Sequence, residues 1–218
     1  MDRDLALIDR LEHLYPAVVA DCLDRLGARS QVLDPRIRPL TRETRLAGYA
    51  ATVKCIEVDA VPESRDDWYR GEVEAVDALR PGDVMVVSTC LGSYWGELLA
   101  TASRYRGARG LVADAYTRDT LALMELGFPT FVAGIHSADS LGRIDVASVG
   151  VPIECGGVRI EPGDLVLGDY DGVVAVPAAL AEEAIALAEQ KVSDENLVRA
   201  KLAEGMPVAE AFRRYGVL

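Results

Sequence analysis

The tripeptide Pro-Gly-Asp occurs twice, at 81–83 and 162–164, and each copy opens an apolar strand: Val84 to Ser88 after the first, Leu165 to Gly168 after the second. Proline presets φ and glycine admits left-handed backbone, so each copy is a tight reversal leading into a run short enough to be a buried strand. Their surroundings differ. Around the first, strand-like pieces (Tyr49 to Val58, Leu111 to Ala113, Phe131 to Ala133) alternate with helical spacing at Glu72 to Leu79, Gly96 to about Arg106, and Thr120 to Leu126. Around the second the chain is strand-rich, with Val151 to Cys155, Val158 to Ile160 and Gly172 to Pro177, and a tight turn at Asp169 to Gly172.

Helices flank this pattern. Apolar spacing from Asp4 to Gly27 predicts two helices divided at Pro16, with Gly27 as the stop and Asp21 and Asp24 on the polar side. Ala178 to Ala203 predicts a long amphipathic helix with Ser193 a candidate break, and Pro207 to Tyr215 a short one. The alternation is too irregular for a TIM barrel, and no G-x-G-x-x-G follows a strand. The expectation is a single α/β domain over residues 1–218, its C-terminal helix (about 178–205) free to reach a neighbour.

Composition narrows the function. A formal charge of −12 repels a phosphate backbone, which argues against nucleic acid as a partner. Cys22, Cys55, Cys90 and Cys155 are isolated, without C-x-x-C, and read as reduced thiols. His13 and His136 are the only histidines, which excludes a His-rich metal site. No apolar run has membrane-spanning length and the N-terminus carries no signal-like core, so a cytoplasmic protein is expected, with no membrane partner.

The chemistry-bearing stretch is Trp95-Gly96-Glu97-Leu98-Leu99-Ala100, then Asp114-Ala115-Tyr116-Thr117-Arg118-Asp119. Asp119 offers a hard oxygen ligand for a divalent cation. Arg118 offers a planar fork for a carboxylate or enolate oxygen. Gly96 can open a helix whose first N–H groups face an anion. The Arg-Asp pair falls after a strand and opens the next helix, where α/β sheets place ligands. Trp95 reads as a core anchor, Asp114 as a turn residue bonding nearby backbone, His136 as structural, and Asp169 and Asp171 as turn residues.

These motifs, with Asp21-Cys22-Leu23-Asp24-Arg25-Leu26-Gly27, Arg106-Gly107-Ala108-Arg109-Gly110, Leu126-Gly127-Phe128-Pro129, Gly156-Gly157-Val158 and Asp171-Gly172-Val173-Val174, resemble the regulator of ribonuclease activity A (RraA-like) family. That family includes the 4-hydroxy-4-methyl-2-oxoglutarate/4-carboxy-4-hydroxy-2-oxoadipate aldolases. The resemblance runs from about Val18 to Gly205 and implies a swivelling β/β/α-type fold assembled as a homotrimer or hexamer with sites between subunits. It implies a metal-dependent (class II) aldolase with oxaloacetate decarboxylase activity, acting on a small 2-oxo acid. By motif position, Asp119 holds Mg2+ or Mn2+ and Arg118 contacts the substrate. Gly96 and the backbone of Leu98 and Leu99 bind the pyruvyl carboxylate, Glu97 lies near the metal waters, and Glu195 reaches in from an adjacent subunit.

The chain departs from the family pattern at Thr89 to Tyr94, at Asp114-Ala115 where Asp-Gly is usual, and in the loop Arg65 to Arg70; these pocket positions bear on which substrate is taken. Enolate stabilisation by a cation and Arg118 is the expected chemistry, with a water oriented by Glu97 taking the 4-hydroxyl proton. No lysine lies in the motif, which argues against a Schiff base. Two other functions fit the family: a protein-binding regulator of an RNA-processing endonuclease, and a lyase or isomerase on another sugar-derived 2-oxo acid.

Overall fold

The structure, a computed structural model, describes residues 3–216. Its helices are α1 (Leu5–Glu12), α2 (Pro16–Arg25), α3 (Arg70–Asp77), α4 (Glu97–Tyr105), α5 (Thr120–Leu126), α6 (Ala181–Ala203) and α7 (Val208–Tyr215). Its strands are β1 (Arg38–Pro39), β2 (Leu46–Glu57), β3 (Asp83–Val87), β4 (Ser93–Trp95), β5 (Gly110–Thr117) and β6 (Thr130–Ile135), followed by β7 (Ile144–Val149), β8 (Ile153–Cys155), β9 (Val158–Ile160), β10 (Leu165–Asp169) and β11 (Gly172–Val176).

Both Pro-Gly-Asp turns clasp β2. The Gly82 carbonyl accepts the Tyr49 N–H at 3.0 Å, and the Gly163 N–H donates to the Ala50 carbonyl at 3.0 Å. Each aspartate is buried and closes its own turn, Asp83 accepting from the Arg80 N–H and Asp164 from the Glu161 N–H. β2 is therefore the seam between two kinds of sheet. On one side it runs parallel to β3, and β3, β5 and β6 continue in parallel; on the other it runs antiparallel to β10, which pairs with β11. The order is β1-β6-β5-β3-β2-β10-β11, with β4 added beside β5 and β7 beside β2. Arg38 of β1 donates to the Tyr170 and Asp171 carbonyls, which draws the two ends of the sheet together into a nearly closed surface.

Burial follows from this topology. β3 is buried at all five positions, as a central parallel strand covered on both faces must be. Inside the curve, Val84, Val86, Val112, Phe131, Val166 and Ala175 pack with residues of the β8–β9 hairpin. Outside, α3, α4 and α5 cover β2, β3 and β5, while α1, α2 and α6 cover β10 and β11. This agrees with the expected α/β fold.

Three details differ from the sequence reading. β5 runs on to Thr117, so Asp114 lies in a strand, not a turn. α6 is continuous through Ser193, whose side chain is exposed on the solvent side of the helix. Strand β1, only two residues long, and β7, whose apolar alternation is broken at Ala147 where its register with β2 shifts, escaped the pattern altogether. The four cysteines are buried and free. Among the described residues no helix is long and apolar enough to cross a membrane.

Candidate active site

β5 delivers Arg118 and Asp119 to the carboxyl end of the parallel strands. The Trp95 carbonyl fixes this end, accepting from the Arg118 N–H and from the Thr117 hydroxyl, each at 3.0 Å. Trp95 is fully buried between Tyr94 and Phe128, the anchor expected of it. Gly96 follows and opens α4 without a side-chain cap, so the N–H groups of Leu98 and Leu99 in the first turn have no intrahelical partner.

Asp119 stands at the start of α5 in left-handed backbone (φ 57°) and makes no side-chain cap to its own helix. Its carboxylate turns to α4 instead, with Oδ2 accepting from the Glu97 N–H at 3.3 Å. A Cβ built on Gly96 would lie 2.7 Å from that same oxygen, so a side chain there would push the carboxylate from its present place. Arg118 Nε lies 3.9 Å from Asp119 Oδ2, and Arg118 Nη1 lies 3.1 Å from Asp139 Oδ1.

Asp139, in the loop between β6 and β7, also accepts from the Tyr69 hydroxyl at 2.6 Å. Burial alone would raise the Asp139 carboxyl, but the Tyr69 bond and the Arg118 charge outweigh it and hold it below its usual range. The Tyr69 phenol is pushed up, chiefly by the same bond. Tyr69 itself is left-handed (φ 55°), and among the described residues Tyr69 and Asp119 are the two non-glycine positions with positive φ. Such backbone costs roughly 1–3 kcal/mol each and gathers where function demands it. Behind them lies Glu72 in the first turn of α3, 5% exposed. Burial pushes its carboxyl up to about 7, with Asp139 and Asp145 acting the same way and Ser140 and Arg118 opposing.

Of the residues expected at the site, Gly96, Leu98, Leu99, Arg118 and Asp119 converge. The Glu97 backbone joins them, but its carboxylate accepts from the Thr101 hydroxyl at 2.7 Å, one turn along α4. Glu195 lies elsewhere in this chain, on α6, where it accepts from Tyr15 and lies 3.7 Å from Lys191. Asp114 is a buried brace, not a turn residue: it receives Arg36 through both carboxylate oxygens, the Thr89 hydroxyl, and the Gly156 N–H at 3.2 Å. Asp169 ends β10 and braces the turn that follows, accepting from the N–H of the turn residue Asp171 at 2.8 Å.

As a cation site, Asp119 presents one half-exposed carboxylate in a cradle that a methyl group would fill. Among the described residues no three His, Cys, Asp or Glu side chains cluster as a closed cage. A lone hard oxygen donor with solvent access suits an ion that keeps most of its waters, as Mg2+ and Mn2+ do.

The family profile RraA-like, described as Aldolase/RraA, matches residues 16–175. The chain belongs to the RraA-like family. A Halalkalibacterium halodurans protein provisionally named 4-hydroxy-4-methyl-2-oxoglutarate aldolase is 28% identical, covering 96% of this chain and 94% of its own. An uncharacterised protein from Pseudomonas syringae superposes with a TM-score of 0.83 at 27% identity, over 97% of this chain and 98% of its own. Streptomyces coelicolor RraAS2, titled an unusual member of the RNase ES inhibitor RraA family, superposes with a TM-score of 0.79 at 28% identity, over 92% and 100%. The RraA-like fold expected from the motifs is thus the fold this chain adopts.

Proposed function

We propose that this RraA-like protein is a divalent-metal-dependent lyase that cleaves a 4-hydroxy-2-oxo acid, such as 4-hydroxy-4-methyl-2-oxoglutarate, to pyruvate, and decarboxylates oxaloacetate as a side activity. The observation that carries the reading is the left-handed Asp119, whose carboxylate turns from its own helix toward the open end of α4, beside the Arg118 guanidinium. The name of the Halalkalibacterium relative supports the same substrate class.

Both reactions pass through pyruvate enolate, and the barrier lies largely in that developing charge. A cation held by Asp119 supplies Lewis-acid stabilisation of the enolate oxygen. The Leu98 and Leu99 N–H groups bind the substrate carboxylate at the positive end of α4. Arg118 sets a fixed positive charge at the carbonyl, and a preorganised group of this kind is worth about 3–4 kcal/mol in the transition state. Cleavage removes the 4-hydroxyl proton, breaks the C3–C4 bond, and moves its electrons into the enolate, which is then protonated at C3. Glu97 is assigned to orient the water that accepts the first proton. Glu195 is assigned to the site of an adjacent subunit in a homotrimer or hexamer.

The test is pyruvate release from oxaloacetate and from 4-hydroxy-4-methyl-2-oxoglutarate, with Mg2+ or with a chelator. Release that needs the metal and falls at least about 100-fold in Arg118→Ala supports the proposal. No metal-dependent release from any 2-oxo acid in a panel refutes it, and favours the endonuclease-regulator reading that the Streptomyces neighbour's title suggests.

A further inference from the structure

Among the described residues no backbone carbonyl receives the Arg118 guanidinium, and its aspartate neighbour is 3.9 Å away. What lies against it is Asp139, at 3.1 Å. That pair is close in distance but not aligned as a hydrogen bond, since Asp139 Oδ1 is a buried oxygen without a hydrogen-bond partner. The distance is the better guide to attraction between two full charges, which has little directional demand. The missing alignment leaves the N–H groups of Arg118 free to point at a substrate.

Asp139 in turn is not free to move. Its other oxygen is held by the Tyr69 hydroxyl at 2.6 Å, and Tyr69 is held by left-handed backbone at the start of α3. Its loop is pinned as well: the Ser140 carbonyl accepts from the Arg143 and Ile144 N–H groups, and Arg143 Nη1 donates to the Asp139 carbonyl. The whole set joins three segments far apart in the chain, at 69, 118 and 139, around one guanidinium.

We propose that Asp139, locked by the Tyr69 hydroxyl, is the positioning residue for Arg118, holding its guanidinium over the carboxyl end of β5 so that an incoming 2-oxo acid meets a preset cation. The proposal rests on the reading of Arg118 as the substrate-binding cation. Asp139 touches no substrate atom in this arrangement and acts only through Arg118. Tyr69 acts one step further back, by denying Asp139 its other rotamers.

Two measurements test this. In 15N–1H spectra of the arginine side chains, the Arg118 Nε–H signal is expected as a distinct, slowly exchanging peak that Asp139→Asn moves into the averaged arginine envelope and Tyr69→Phe broadens. In turnover of oxaloacetate, Asp139→Asn is expected to lower kcat/KM about tenfold and Tyr69→Phe about threefold, while Asp139→Asn in an Arg118→Ala background costs nothing more. An Arg118 signal unchanged in both variants, or losses that simply add in the double variant, overturns the proposal. If the wild-type protein releases no pyruvate but the Arg118 signal still depends on Asp139, the positioning role stands and the lyase reading falls. If Asp139→Asn does not fold, the isosteric Tyr69→Phe carries both measurements.

Discussion

Single residues of the candidate site have given up ordinary roles. Asp119 declines to cap its own helix, and Gly96 stands where a capping side chain is usual. Gly96→Ala therefore puts a methyl group 2.7 Å from the Asp119 carboxylate and is expected to cost about 100-fold in turnover with the fold intact; near-native kcat with an unshifted melting point would refute the cradle. Glu72 makes a separate prediction. Its folded pKa of about 7 exceeds the ordinary 4.5, so between those values unfolding releases a proton and stability falls as pH rises. The penalty is absent below the lower value and complete above the upper, at about 3 kcal/mol. Glu72→Gln removes it, so urea denaturation should show the variant gaining about 3 kcal/mol relative to wild type between about pH 4 and pH 8. A difference that does not change with pH means the carboxyl is not buried as described. Arg118 and Asp119 could be singled out in the sequence only with the flanking motifs that carry the family resemblance, since an adjacent Arg-Asp pair alone is an ordinary surface ion pair. Tyr69, Glu72 and Asp139 could not be, because each is an ordinary polar residue in a loop or first helical turn until the fold brings them together.

At the scale of elements, the strand that carries the site is held by a buried charge. Asp114 sits in the middle of β5 and gathers Arg36 before β1, Thr89 after β3, and Gly156 in the β8–β9 hairpin. The Asp114 bonds hold the Arg36 guanidinium in its charged form. Arg36→Ala leaves Asp114 with two donors, and a loss of about 2 kcal/mol in stability is expected, less than for a fully enclosed pair because half of Arg36 meets water. Chemical denaturation checks this, and an unchanged midpoint would mean Thr89 and Gly156 suffice. The same aspartate explains why β5 was read too short: a charged residue inside an apolar run signals a turn unless its partner is known, and that partner is 78 residues away. Helix α6 shows the reverse error, since Ser193 looks like a weak point only if its hydroxyl competes for the backbone. The helices at Pro16 and Thr120 were legible to within a residue, because proline and left-handed caps act locally.

Across the whole molecule, exposed apolar side chains stand on α4 and α5, with Leu98 and Leu121 in the first turns beside the candidate site and Tyr105 at the far end of α4. Glu195, assigned by motif to the site, faces Tyr15 and Lys191 within its own chain, and the Tyr15 phenol is pushed up to about 12, first by burial and then by that carboxylate. An assembly in which one subunit's α6 reaches the next subunit's β5 reconciles the two. Mixing inactive Asp119→Asn and Glu195→Ala subunits under exchange should then restore part of the activity, while a stable, fully active monomer in light scattering would exclude a shared site. The proposed lyase requires Asp119 to hold a divalent cation with a bound oxyanion facing Arg118. Anomalous diffraction from a crystal soaked with Mn2+ and oxalate, a mimic of the enolate, tests it most directly. The expected result is a manganese peak at the Asp119 carboxylate with oxalate between it and Arg118; manganese bound only elsewhere, with nothing at Asp119, would overturn the proposed metal role.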